Sequence, residues 1–263
     1  MVKFLQSVLI RIYALTRAAG FLNTPLGNWL FTSAYWAYKH LLEPSPMALA
    51  RFVPPGAWVV DVGANLGFYS QLFAGWVAQG GRVLAVEPES ANFRHLQTVA
   101  KRSGKLIDPL QSLLSEVDGE LKLRINPASH ADHRVTCNGE GLSVPSCRLD
   151  SAMEARGNPH VGLIKIDVQG AELRVLLGAQ ETLRRCRPAL YMEVDDQALK
   201  EAGTSASELD AFLENAGYVA WVVESDKLRG PVASAERVAI RRRLGYADFL
   251  YLPSQPTPQR HLA

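Results

Sequence analysis

The sequence is poor in the features that announce a class at once. Its 263 residues hold no uninterrupted apolar run of the ~18 residues that a spanning helix needs, so a transmembrane helix is not expected. Cysteine is scarce. Cys137, Cys147 and Cys186 are odd in number and show no C-x-x-C spacing, which argues against a disulfide framework or a zinc site and for thiols in a reducing compartment. Charge of one sign is lacking too: 28 Lys and Arg against 26 Asp and Glu leave a net charge of +2, too little to mark a nucleic-acid binder. There is no internal repeat. No G-x-x-x-x-G-K-[ST] occurs, which excludes a P-loop, and the glycine loop described below is not the G-x-G-x-x-G of a dinucleotide site.

What is present is an ordinary globular composition, 48% hydrophobic and 21% charged, enough to build a sizeable core. The length allows one large domain with an appendage. Residues 1–50 read as an N-terminal helical extension. Helices are expected over 2–18, with Leu5, Leu9 and Ile12, and over 26–42, with Trp29, Tyr35 and Trp36. The interruptions at Gln6, Arg11 and Arg17 argue against a cleaved leader. The pair suits a cap on the main domain, and Lys3, Arg11 and Arg17 also allow peripheral contact with a membrane surface. Pro44, Pro46, Pro54 and Pro55 mark the boundary, and residues 51–263 form the main domain.

From residue 57 onward, short β-branched runs alternate with helical stretches. Strands are expected over 57–62, 82–87, 161–168, 188–194, 218–223 and 248–253, with a weaker one over 106–115 broken at Pro109. Helices are expected over 68–79, 92–103, 172–186 and 205–217. Residues 118–149 read as a small β-insert and 224–247 as a charged loop, with Arg241, Arg242 and Arg243 on a solvated face. The pattern predicts an α/β fold: a doubly wound, mostly parallel sheet with helices on both faces and one antiparallel edge strand.

Such sheets bind ligands outside the carboxyl ends of their strands. The first such end reads Asp61-Val62-Gly63-Ala64-Asn65-Leu66-Gly67, with Ser70 one helical turn further on. Gly63 and Gly67 allow a tight turn and a close backbone approach. Glu87 stands at the end of the second strand, before Pro88, where a carboxylate can grip the two hydroxyls of a ribose. A carboxylate at Asp61 would repel a pyrophosphate and attract a cation. S-adenosylmethionine carries an ammonium and a sulfonium, so the electrostatics favour it over a dinucleotide. A nicotinamide oxidoreductase is the weaker reading on the same fold.

A second constellation runs Lys165-Ile166-Asp167-Val168-Gln169-Gly170-Ala171-Glu172. Asp167 falls on the same rim as Asp61 and Glu87. Lys165 alternates with Ile164 and Ile166 and needs a partner near the strand end. Glu172 opens the next helix, where its charge suits the dipole. Glu193 closes the fifth strand over the same crevice, with Asp195 and Asp196 read as the start of a loop.

These segments resemble the FkbM-like family of S-adenosylmethionine-dependent methyltransferases. The resemblance rests on VVDVGANLGFYS (59–70), VLAVEPES (83–90), VPSCRLD (144–150), LIKIDVQGAELRVLLGA (163–179) and RPALYMEV (187–194), in that order. It implies a class I Rossmann-like methyltransferase fold. Asp61, Gly63, Ala64, Asn65, Gly67, Ser70, Glu87, Pro88, Ser112 and Asp167 would then line the cofactor, with Gln111 and Ser112 near the adenine. It also implies O-methylation of a hydroxyl on a sugar, polysaccharide or glycosylated natural product. Asp167 is the first candidate base, followed by His133, His130 and Glu193; no metal is assigned. The expected partner is a small-molecule or saccharide acceptor rather than nucleic acid. The expected location is the cytoplasm, with peripheral membrane contact as an option. The competing reading is a non-catalytic scaffold that keeps the cofactor pocket.

Overall fold

A computed structural model describes residues 46–126, 133–135, 141–224 and 227–254, preceded by Thr24, Leu26, Gly27, Leu30, Ser33, Ala34, Trp36, Ala37 and Lys39. The expected helix over 2–18 lies outside the described residues, as do Trp29, Tyr35, His130 and Cys137. Of the second expected helix, the described residues from Leu26 to Lys39 are helical, with Leu26 and Leu30 exposed.

A 3-10 turn, Met47–Phe52, leads into β1 (Trp58–Val62), α1 (Phe68–Ala74), β2 (Val83–Val86), α2 (Ser90–Arg102) and β3 (Ile107–Leu110). After the insert come α3 (Leu149–Glu154), β8 (Val161–Ile166), α4 (Glu172–Leu177), α5 (Gln180–Cys186), β9 (Ala189–Asp195), α6 (Asp196–Glu201), α7 (Ala206–Asn215), β10 (Tyr218–Glu224), β11 (Lys227–Arg229), α8 (Ser234–Leu244) and β12 (Tyr246–Pro253). The main sheet has the order β11-β10-β12-β9-β8-β1-β2-β3. The pairs β9–β8, β8–β1, β1–β2 and β2–β3 are parallel, while β12 runs antiparallel to both of its neighbours. The insert is a second sheet, β4-β7-β5-β6, made of Leu113–Leu114, Leu142–Cys147, Gly119–Arg124 and Arg134–Val135.

Strand alternation divides the core in two. Val60, Val62, Ile164 and Ile166 face one side and pack with Met153, Leu176, Leu183 and Leu209. Val59, Leu163 and Tyr191 face the other and pack with Phe73 and Leu96 of α1 and α2. Both faces of β1 and β8 are covered, which is why those strands read as continuous apolar runs.

Four expectations need correction. The weak third strand is two strands: β3 closes the main sheet, and β4 belongs to the insert. Pro109 is tolerated because β3 is an edge strand with no further ladder to supply. The antiparallel part is more than one edge strand: β11, at the edge, does run antiparallel to β10, but so does an interior strand. β12 sits between β9 and β10, and its Phe249, Leu250 and Tyr251 are all buried, as a strand covered on both faces requires; β11 is the edge. The stretch 224–247 is not a loop, since it holds β11 and α8. The helix over 172–186 is two helices, α4 and α5. They break at Gly178, where a Cβ would stand 1.9 Å from the Ser115 carbonyl oxygen, so the chain passes too close to the insert to carry a side chain.

Candidate active site

The strand order reverses between β1 and β8, so the crevice opens at their carboxyl ends. Here the chains nearly touch. Asp167 donates its amide to the Val62 carbonyl at 3.1 Å, and a Cβ on Gly63 would lie 2.0 Å from the Asp167 carbonyl oxygen. Gly63 also has φ +78°, so glycine is required there twice over. Gly67, at φ +87°, turns the chain into α1 beside Leu96 and Val99. The Gly63 and Ala64 amides both donate to the Val86 carbonyl, at 3.0 and 2.9 Å.

Asp61 and Lys165 are cross-strand partners on the face covered by α1. Asp61 is fully buried. Its Oδ2 accepts from the Ser70 hydroxyl at 2.6 Å, and its Oδ1, 3.9 Å from Lys165 Nζ, has no hydrogen-bond donor. Burial pushes its pKa up, with Lys165 and Ser70 pulling the other way. Ser70 is thereby a support for Asp61 rather than a wall of the crevice.

Glu87 lies just past β2 and is 4% exposed. Its carboxylate accepts from the Asn65 amide at 2.9 Å, the Glu89 amide at 3.0 Å and Asn92 Nδ2 at 3.4 Å. Those bonds tie the glycine loop to the start of α2. Burial outweighs them and raises its pKa to about 7. Pro88 is half-buried between β2 and α2. Ser112 is buried, and its hydroxyl reaches the Pro145 carbonyl and Cys147 Sγ, so it pins β7 to the end of β3. Neighbouring Gln111 donates to Ser90 Oγ at 2.9 Å.

Beyond β8 stands the group the sequence singled out. Lys165 Nζ is 3.3 Å from Asp167 Oδ2 and 4.6 Å from the centre of the Tyr69 ring. Burial disfavours its charge, but Asp167 and Asp61 outweigh burial and hold its pKa above the usual lysine range. For Asp167 burial again opposes charge, and Lys165 and Lys39 prevail to hold it below the usual carboxylate value. Gln169 Nε2 bridges Asp167 Oδ1 at 3.1 Å and Glu193 Oε1 at 3.0 Å. Glu193, paired with Asp248 across β9 and β12, is pushed to about 9 by burial and then by Asp167 and Asp248. Two carboxyl groups joined through one amide are therefore driven in opposite directions, Asp167 toward the ionised form and Glu193 toward the protonated one. Environments that drive a pair of carboxyls apart in this way create an acid and a base.

The structure places other predicted residues elsewhere. His133 lies in the insert, where its Nδ1 accepts from the Asn126 amide at 3.2 Å, not at the end of β8 or β9. Asp195 and Asp196 do not begin a loop. Asp195 caps α6 by accepting from the amides of Gln197 and Ala198, and Asp196 binds Arg241. Glu193 lies within β9, two residues before its end. Glu172 starts α4 as expected, but it is buried, accepts from the Gly170 amide at 3.0 Å, leaves Oε2 without a partner and is raised by burial to about 7. The insert leans over the same rim: Leu113, Leu123, Val135 and Val144 pack on Ala171 and Val168, and Arg134 pairs with Glu201 of α6. Among the described residues no three His, Cys, Asp or Glu side chains gather into a metal-holding group. Among them, too, no helix is long and apolar enough to cross a membrane.

Residues 61–220, more than half of the chain and the whole of this rim, match the Methyltransferase FkbM domain. The chain belongs to the FkbM methyltransferase family. Among curated proteins it is similar to the hexuronic acid methyltransferase AglP of Haloferax volcanii, 28% identical over 125 residues, which are 47% of this chain and 50% of that one. It is also similar to the 31-O-demethyl-FK506 methyltransferase FkbM of Streptomyces tacrolimicus, 27% identical over 223 residues, covering 73% and 83% of the two chains. The chain thus spans half the length of AglP and most of the Streptomyces protein. A crystal structure of an FkbM methyltransferase from Methylobacillus flagellatus KT superposes with a TM-score of 0.52 at 17% identity, over 94% of this chain and 57% of that one. That likeness bears on the fold, which is the class I Rossmann-like methyltransferase fold that the sequence implied.

Proposed function

We propose that this FkbM-family chain is an S-adenosylmethionine-dependent O-methyltransferase, acting on a hydroxyl of a sugar, polysaccharide or glycosylated natural product. The observation that carries the reading is the arrangement of the rim: the glycine loop tied to Glu87 on one side, and the Lys165–Asp167–Gln169–Glu193 chain of contacts on the other. The names of AglP and the Streptomyces FkbM support an acceptor of this kind.

The residues present fit the cofactor. Asp61 keeps a buried carboxylate oxygen without a hydrogen-bond donor, and Glu87 uses three of the roughly four acceptor positions of a carboxylate. Asp61, Gly63, Ala64, Asn65, Gly67, Glu87 and Pro88 would hold it, with Ser70 and Ser112 supporting them from behind. Bound there, S-adenosylmethionine supplies a methyl group on a cationic sulfur, which leaves as a neutral thioether when an acceptor oxygen takes the methyl.

The chain's own work is positioning and proton transfer. A neutral alcohol is a weak nucleophile, so a base beside it raises the rate by about 10²–10⁴. Asp167 is the base: it is charged, about a third exposed and aimed by Lys165 and Gln169. Lys165 keeps it charged at neutral pH. Glu193, protonated, has an O–H to offer an acceptor oxygen, while its Oε1 is held by Gln169. His133, on the insert that packs against Val168 and Ala171, is the second candidate base.

The test is methyl transfer. Isotopically labelled S-adenosylmethionine and a panel of uronic and neutral saccharides should yield an O-methyl ether by NMR and mass spectrometry, with Asp167→Asn greatly slowed. Transfer to nitrogen or carbon acceptors alone would refute the reading. Tight donor binding without turnover on any hydroxylated acceptor would favour a scaffold.

A further inference from the structure

The turn that follows β8 is held in a strained shape, and Gln169 reaches the site from it. Gln169 has φ +53°, a left-handed conformation uncommon for a residue with a side chain, and Gly170 follows at φ +106°. Such a conformation persists where the surroundings over-determine it. The turn is pinned at its start, where the Asp167 amide donates to the Val62 carbonyl at 3.1 Å. It is pressed against α6, since a Cβ on Gly170 would stand 2.3 Å from the Ala198 carbonyl oxygen. At its end it is pinned by Glu172, whose Oε1 accepts from the Gly170 amide at 3.0 Å.

We propose that Glu172 is a positioning residue of the site: by holding the Gly170 amide it fixes the left-handed turn from which Gln169 Nε2 bridges Asp167 and Glu193. The purpose of the bridge rests on the methyl-transfer reading; its geometry does not. Each link is a chain neighbour or a hydrogen bond. Glu172 binds Gly170, and Gln169, next to Gly170, donates to Asp167 Oδ1 at 3.1 Å and Glu193 Oε1 at 3.0 Å. Two observations separate Glu172 from a carboxylate that only serves the dipole of α4. It is 2% exposed, whereas a charge at a helix N-terminus needs no burial to serve the dipole. Burial raises its pKa to about 7, although the amides of Gly170, Glu172 and Val168 favour its charge. Its Oε2 has no partner, so the hydrogen bonding of this buried side chain goes to the turn.

The test reads the Gln169 side chain directly. In the full chain labelled with ¹⁵N-glutamine, the Gln169 side-chain amide signal is assigned by its loss in Gln169→Leu, and its exchange with solvent is measured. Glu172→Leu removes the acceptor and should speed that exchange about 10-fold, what one or two hydrogen bonds protect. Glu172→Asp keeps the charge at the start of α4 but is one methylene too short for the Gly170 amide, and should also lose protection. Glu172→Gln keeps the reach and the acceptor oxygen without the charge, and should restore protection. In the methyl-transfer assay, kcat should fall about 10- to 100-fold in the Leu and Asp variants and recover in Gln, with S-adenosylmethionine Kd unmoved, the mark of a misplaced group rather than lost binding. A dipole role gives the reverse order, Asp protected and Gln not, and overturns the proposal. So does a Gln169 amide that exchanges alike in all variants. The Asp and Gln variants decide the matter should Leu not fold. The two readings fail separately: absence of S-adenosylmethionine binding by the wild-type chain would overturn methyl transfer, whereas the exchange of Gln169 needs no cofactor and judges Glu172 alone.

Discussion

Replacing Glu193 by Gln should make the protein more stable at neutral pH and leave it unchanged in acid. The folded chain holds the Glu193 proton to about pH 9, and the unfolded chain releases it near the ordinary glutamate value of 4.5. Between those two values the folded state binds more protons, so this group makes stability fall as pH rises. At pH 7 the interval already crossed is about 2.5 pH units, worth at most about 3.4 kcal/mol at about 1.4 kcal/mol per unit. Partial solvent access at this half-buried position reduces that to about 1.5–3 kcal/mol. Glutamine keeps the shape and the oxygen that accepts from Gln169, and it has no proton to lose. At about 2–4 °C per kcal/mol for a domain of this size, Tm should rise by about 3–12 °C at pH 7. Scanning calorimetry of both proteins from pH 4 to 9 reads the effect. The gap should close below pH 4.5. A gap that is the same at pH 4 and pH 8 would refute the electrostatic origin, and a less stable variant at pH 8 would refute the protonated state itself.

Other perturbations test other parts of the account. Gly63→Ala should cost more than about 3 kcal/mol or prevent folding, because its Cβ meets a carbonyl oxygen at 2.0 Å. Gly80→Ala is the control: it shares a positive φ but has nothing within 4 Å, and should cost only about 1–2 kcal/mol in denaturant melts. Arg237→Ala should destabilise by about 3–5 kcal/mol, since it strips the buried Asp210 of a partner at 3.2 Å and Glu214 of one at 2.9 Å; urea titration measures it. Asp167→Asn should keep the fold by circular dichroism and lower kcat by about 10²–10⁴.

The sequence was most readable where apolar periodicity and geometry agree. β1, β8 and β9 are continuous apolar runs because both faces are buried, and Asp61, Glu87 and Asp167 stand out because a carboxylate at a strand end interrupts such a run. The pattern misleads where polarity is inverted. The buried residues of α8 are Arg237 and Arg241, one turn apart, held by Asp210, Glu214 and Asp196. A helix that docks by ion pairs shows no apolar stripe, so 224–247 read as loop. The i, i+4 arginines facing the acids of α7 were the available signal. The place of His133 is not legible in the sequence, because residue type says nothing of distance and the insert that carries it forms a second sheet packed on Val168 and Ala171.

The central claim, a crevice built for a methyl-donor nucleoside, is tested most directly by calorimetry of the wild-type chain with S-adenosylmethionine. The account predicts a saturable heat, displaced by the demethylated product and weakened about 10-fold or more in Glu87→Ala, the loss of at least one charge-assisted hydrogen bond. No heat and no thermal stabilisation by either compound, with NAD stabilising instead, would contradict it.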